Sequence, residues 1–179
     1  MVTLLSLPCT ATPVDLGQAG NFAAFGLLDE DVVISSGNTT ITSVDPLTVV
    51  QLRQGINLNK TLTIAGGSGD AFVFNVPDGQ TIALSGGGQI VLTGGVTPDN
   101  ILFNVMGSHG GGLTFTGDSD TVGTFLGLDR AITVSGRVHD GAFLAGGRLT
   151  LQSGPHLEHP SVAVVPAPGA LVLGCSGPV

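Results

Sequence analysis

One short pattern recurs through the middle of this chain: outward, apolar, outward, apolar, then a small residue and glycine. Thr61-Leu62-Thr63-Ile64-Ala65-Gly66-Gly67 is the clearest copy, and it returns in Thr81 to Gly86, Gln89 to Gly94, Leu113 to Gly117, Ala131 to Gly136 and Arg148 to Gly154. Strict alternation of period two marks each copy as a strand with one buried face. It predicts that Leu62, Ile64, Ile82, Leu84, Ile90, Leu92, Phe115, Ile132, Val134, Leu149 and Leu151 share an interior. A second unit is interleaved. Ala71-Phe72-Val73-Phe74-Asn75-Val76 and Ile101-Leu102-Phe103-Asn104-Val105 match each other, each after a Gly-Gly and with an aspartate, Asp70 or Asp99, just upstream. These read as more deeply buried strands, with Asn75 and Asn104 forming an inward ladder in equivalent rungs.

Short strands with Gly, Asn, Asp and Ser at the corners suit a β-sandwich or a β-solenoid. Units that recur about every 20 residues favour the solenoid, in which stacked coils bury one continuous interior. The expected class is all-β: a short right-handed parallel β-solenoid with little or no helix. Pro46 to Gln54 fits a helical turn or two, or a strand through Val49-Val50-Gln51-Leu52.

The 179 residues divide into an apolar N-terminal segment (1–13), one solenoid domain (14–160) and a Pro-rich apolar tail (161–179). Five Lys+Arg against thirteen Asp+Glu leave a net charge of −8, which repels a phosphate backbone and excludes nucleic acid as a partner. With 29 glycines, no Trp or Tyr and Lys60 as the single lysine, the chain does not read as an ordinary helical or doubly wound enzyme. Met1 to Pro13 looks like the remnant of a secretory apolar region, without a Lys or Arg ahead of it. The apolar part of the tail falls short of the roughly 20 residues a spanning helix needs, so no membrane span is expected. Cys9 and Cys175 stand one near each end, with no zinc-ligand spacing, and read as two thiols or as one long-range disulfide.

Several blocks resemble the bacterial ice-binding-like β-solenoid family. Val14 to Ala23 (VDLGQAGNFA) resembles its opening strand. Thr61 to Val76 (TLTIAGGSGDAFVFNV), Gly94 to Val105 (GGVTPDNILFNV) and Gly123 to Leu151 resemble later segments, in the same order. The likeness covers about Val14 to Gly154. Relative to typical members, little lies between Phe25 and Thr48, so the family's flanking helix and several early coils are expected to be reduced. Val165-Pro166-Ala167-Pro168-Gly169-Ala170-Leu171 is similar to the Pro-Glu-Pro sorting tails of exported bacterial proteins, with Ala167 in place of the usual Glu. The resemblance implies an extracellular or cell-surface protein. It also implies a flat face of outward Thr, Ser and Ala that orders water. Its candidates here are Thr61, Thr63, Thr81, Thr114, Thr116, Thr133 and Thr150, although threonine is also a favoured outward strand residue.

Other chemistry is thinly represented. Asp118, Asp120, Asp129 and Asp140 lie near Arg130, Arg137 and His139, where paired carboxylates could cleave a polysaccharide, but turns also select Asp. His156-Leu157-Glu158-His159 and Asp118-Ser119-Asp120 read as solvated turns rather than metal cages, and His109 as a loop residue in Gly107 to Gly112. There is no nucleophile elbow and no phosphate loop. The expected protein is no enzyme and has no catalytic residue, metal or cofactor. Its leading reading is an extracellular structural or adhesive solenoid, self-associating through apolar termini or open ends into a fibre or matrix. Ice binding is the alternative, and binding or cleavage of extracellular polysaccharide the second alternative.

Overall fold

The computed structural model describes residues 26–34, 37–135, 137–152, 154–158 and 163–164. Met1 to Pro13, the opening block Val14 to Ala23, both cysteines, His159 and the sorting-type tail lie outside them.

The chain winds repeatedly past three faces, A, B and C. It passes from β1 (Gly26–Val32, face A) to β2 (Thr39–Thr42, face B). It then runs through β3 (Leu47–Leu52, A), β4 (Ile56–Leu58, C) and β5 (Thr61–Ala65, B), and through β6 (Ala71–Val76, A), β7 (Ile82–Leu84, C) and β8 (Gln89–Thr93, B). β9 (Ile101–Val105, A), β10 (Leu113–Phe115, C), β11 (Thr121–Gly127, A), β12 (Ile132–Val134, C), β13 (Val138–Ala145, A) and β14 (Leu149–Leu151, C) follow. β15 (His156–Glu158) and β16 (Ala163–Val164) both add to β13. Every strand pair is parallel. The sheets hold eight strands on face A, five on face C and three on face B. This is a parallel β-solenoid; its one helical element among the described residues is a 3-10 turn at Pro98–Asn100.

Two local readings gain detail from the structure. Pro46 to Gln54 holds the strand β3 rather than helical turns, because its β-branched run alternates inward Val50 and Leu52 with outward Val49 and Gln51. The stretch before Thr48 holds β1 and β2, and Thr39-Thr40-Ile41-Thr42 carries the period-two signal that identifies β2.

The interior is one dry column. Ten of the residues predicted to point inward do so, including Leu62, Ile64, Ile82, Leu84, Phe115, Ile132 and Val134, which are fully buried, and Leu92 and Leu149, which pack partly buried against the column. Leu151 departs from the expectation and is 49% exposed, because β14 is the last strand of face C among the described residues. Phe74, Phe103, Phe125 and Phe143 occupy one inward position in four successive strands of face A. Their rings stack at 4.7, 4.6 and 5.4 Å between centroids. Phe115 closes on this stack edge-on from face C, 4.7 Å from Phe125.

The asparagine ladder exists but faces the other way. The Asn104 amide donates to Asn75 Oδ1 at 3.0 Å, and the two residues are in register. Since Phe74, Phe103 and Val105 take the inward positions, period two puts both asparagines on the outside of face A. These strands are half-buried like the others.

Coil length rises and then falls along the stack. Asn75 and Asn104, one coil apart, are separated by 29 residues, whereas Thr121 and His139 are separated by 18. The difference lies at the corner from face B to face A. Early coils cross it with loops such as Gly66 to Asp70 and Gly94 to Asn100. β11 crosses it without a loop: it starts beside β8, where Asp120 bridges Gln89, and ends beside β9. The bend falls at Gly123, with φ +99, and β13 repeats it at Gly141, whose Cβ would strike the Gly123 carbonyl. A side chain at position 141 is incompatible with coils this close.

The corner from face A to face C is held by a buried cation. Arg130 is 2% exposed and donates to the carbonyls of Met106, Gly107 and Gly111 at 3.1, 2.8 and 3.0 Å. Its remaining contact is Asp78 Oδ1 at 3.5 Å. Asp78 also binds His109, through the ring Nδ1 at 2.8 Å and the backbone N–H at 3.0 Å, and these bonds hold its carboxyl below the ordinary 3.8. His109 is thus a tied loop residue. Arg130→Met keeps the stem but strands three carbonyls; it is expected to cost about 2 kcal/mol, read as a lower urea midpoint.

Candidate functional site

The outside of face C carries a regular small-residue array. Asn57, Ala83, Thr114, Thr133 and Thr150 form a single column, each in register with the next. On one side run Thr81, Gly112 and Ala131, ending in Arg148; on the other run Ser85, Thr116 and Ser135, ending in Gln152. Parallel pairing sets neighbours in a column about 4.8 Å apart, and successive outward positions along a strand about 6.6 Å apart. Stacked coils suppress the twist of an open sheet, so this lattice stays flat. The hydroxyls differ in availability. Thr81 Oγ1 donates to the Gly112 carbonyl at 2.6 Å and Thr116 Oγ1 to the Leu84 carbonyl at 3.4 Å. Ser135 Oγ donates to the Phe115 carbonyl at 3.3 Å. No intramolecular partner is found among the described residues for the hydroxyls of Thr114, Thr133 and Thr150.

The seven candidate threonines therefore lie on two faces. Thr81, Thr114, Thr116, Thr133 and Thr150 belong to face C, while Thr61 and Thr63 belong to face B. On face B, Thr40 pairs with Thr63 and then Val91, Thr42 with Ala65 and then Thr93, and Thr61 with Gln89. Thr40, Thr42 and Thr93 escaped the sequence reading, although the alternation in Thr39 to Thr42 could have revealed two of them. Ser85 and Ser135 escaped it because they sit where a strand gives way to its corner.

Asp120 Oδ1 accepts the Val138 N–H at 3.1 Å. Ser119 is buried and donates to the Thr116 carbonyl at 2.9 Å, while Asp118 beside it is exposed and Asp120 half-buried. His156 and Glu158 lie on β15, not in coil, with His156 Nδ1 3.4 Å from Glu158 Oε1. Asp129 is exposed, and Arg130 beside it is committed to the corner carbonyls. An open trough of about 370 Å³ at the β4 end of face C is lined by residues such as Gln54, Asn57, Gln80 and Thr81, with no carboxylate or histidine among them. No group of three or more His, Cys, Asp or Glu placed to hold a metal occurs among the described residues. None of their helices is long and apolar enough to cross a membrane.

Among the described residues, His139 is the one titratable group inside the column. It is 1% exposed, its Nδ1 lies 2.8 Å from Thr121 Oγ1, and its ring meets Phe115 and Phe143 edge-on. Its Nε2 has no partner among the described residues. Burial pushes the imidazole below its ordinary 6.5, against the opposing pull of the Asp120 carboxylate. The folded chain thus takes up this proton at lower pH than the unfolded chain. The resulting stability is complete above 6.5 and is lost as pH falls below it. Asp78 acts only below its ordinary 3.8, outside that window. Urea midpoints at about pH 7.5 and about pH 5.5 are expected to diverge, and to converge in His139→Leu.

The described residues thus form a parallel solenoid of three faces, one of which bears a lattice of Thr, Ala and Ser. The family model described as ice-binding-like matches residues 10–154, and the chain belongs to that family. No curated protein matches it closely enough to count as a relative.

Proposed function

We propose that this is an extracellular, non-catalytic ice-binding protein and that face C is its ice-binding surface. The observation that carries this reading is the in-register ladder Thr114–Thr133–Thr150, flanked on both sides by small residues. A β-branched threonine on a rigid strand holds its hydroxyl and methyl in a restricted geometry. Free hydroxyls anchor water, and methyls between them restrict the orientation of the first water layer. Repeated at strand spacing on a flat face, that water is pre-arranged to merge with a crystal lattice. The purified chain is expected to inhibit ice recrystallisation and to produce thermal hysteresis at micromolar concentration. Absence of both ends the reading.

A structural or adhesive role is the second reading, favoured by β14, the end strand of face C among the described residues, where Leu151 is exposed. An uncovered coil presents unpaired N–H and C=O groups that recruit another strand. This reading expects assembly that increases with concentration and is lost when the end strand is disrupted. A chain that stays monomeric while inhibiting ice growth leaves only the first.

A further inference from the structure

The outsides of the three faces differ in chemistry. Faces B and C present threonine, whereas the middle outward column of face A runs Val49, Val73, Leu102, Thr124, Ala142, each in register with the next. The first four are half-buried, as Thr114 and Thr133 of face C are. In the adjoining column Gln51, Asn75 and Asn104 lead to Leu126 and Leu144. One corner position further on, Met106 and Leu128 are 40% and 53% exposed. Apart from the 3-10 turn at one edge, no element among the described residues lies over this surface. Single exposed apolar side chains are ordinary, but a contiguous set on this scale is a patch.

Two features suit this patch to burial. Asn104 donates to Asn75 Oδ1 at 3.0 Å, so covering the amides leaves fewer polar groups without partners. The outward positions of β3, β6, β9, β11 and β13 include a single charge, Asp140, near one edge. Five strands span about 24 Å, and four outward positions, the corner included, about 26 Å. That amounts to about 600 Å² per copy and about 1,200 Å² for a pair, the low end of specific interfaces. β1 bounds the patch with the acidic run Asp29-Glu30-Asp31. Two copies with their coils in the same order would bring these runs together, whereas reversed order separates them by the height of the stack. Reversal also sets Val49 opposite Ala142, Val73 opposite Thr124 and Leu102 opposite its own copy.

We propose that a second copy of this chain covers face A, packed sheet to sheet with reversed coil order about a two-fold axis at Leu102. Such a pair closes at two copies, unlike end-to-end growth, and leaves faces B and C of both copies open, so it stands apart from the ice reading. The test is sedimentation equilibrium of the full-length chain. The natural chain is expected to pass from one copy to two over the micromolar range, and no further. Added salt should tighten the pair, since it screens the net charge of −8 on each chain. Leu102→Lys places two like charges at the axis and is expected to weaken pairing on the order of tenfold or more. Its unfolding midpoint should hardly move, because the side chain points outward. Thr124→Lys, opposite Val73 of the second copy, should weaken pairing too. Leu151→Lys, on the end strand of face C, should leave it intact. A natural chain that stays monomeric at every concentration, or grows beyond two copies, overturns the proposal. Pairing that survives Leu102→Lys and Thr124→Lys undiminished overturns it as well, since it assigns the contact to another surface.

Discussion

Replacing Phe103 with alanine is expected to cost about 3–5 kcal/mol of stability. The ring is fully buried and lies between Phe74 at 4.7 Å and Phe125 at 4.6 Å. Truncation removes its transfer energy and leaves a void that the neighbours cannot close, because backbone ladders on both sides fix the strand spacing. Each neighbour also loses a stacking partner. Chemical denaturation should show a large drop in midpoint. Leu151→Ala provides the contrast: the side chain is already exposed at the end of the stack, and its change should stay within about 0.5 kcal/mol. Equal effects at the two positions would contradict a single central column.

Thr133→Arg is expected to abolish most ice activity, on the order of tenfold or more, because it disrupts the centre of the contact surface rather than its rim. Thr133 stands between Thr114 and Thr150 on face C, and a long charged side chain there breaks the flatness over several coils. It points away from the interior, so the unfolding temperature should hardly move. Thr63→Arg places the same charge on face B, beside Thr40 and Val91, and should leave the activity close to that of the parent chain. Hysteresis and recrystallisation assays on both variants assign the face. The reverse pattern would move the site to face B.

Much of this architecture can be read directly from the residues. Period-two alternation in Thr61 to Ala65 and in Gln89 to Thr93 is enough to name their inward side chains, since one-sided burial in a strand leaves no other pattern. Two kinds of information are missing from such local reading. The first is which strands share a sheet. Thr63 and Thr133 look alike in sequence, but coil length and corner geometry send one to face B and the other to face C. The second is what long side chains reach. Nothing near Arg130 announces that its guanidinium will bind carbonyls at Met106, Gly107 and Gly111, because those groups come from a corner one coil away. The inward reading of Asn75 and Asn104 erred for a related reason. It weighed the likeness of the two strands above their own alternation, in which the phenylalanines had already claimed the interior.

The graded coils have a mechanical corollary. A solenoid held in a force spectrometer by its C-terminus should surrender one turn at a time, since each turn rests only on its neighbours. An 18-residue turn releases about 60 Å of contour and a 29-residue turn about 100 Å. The saw-tooth trace should therefore begin with closely spaced teeth, reach its widest at the coil from β6 to β9 and narrow again beyond it, so that the widest tooth marks when the rupture front passes mid-stack.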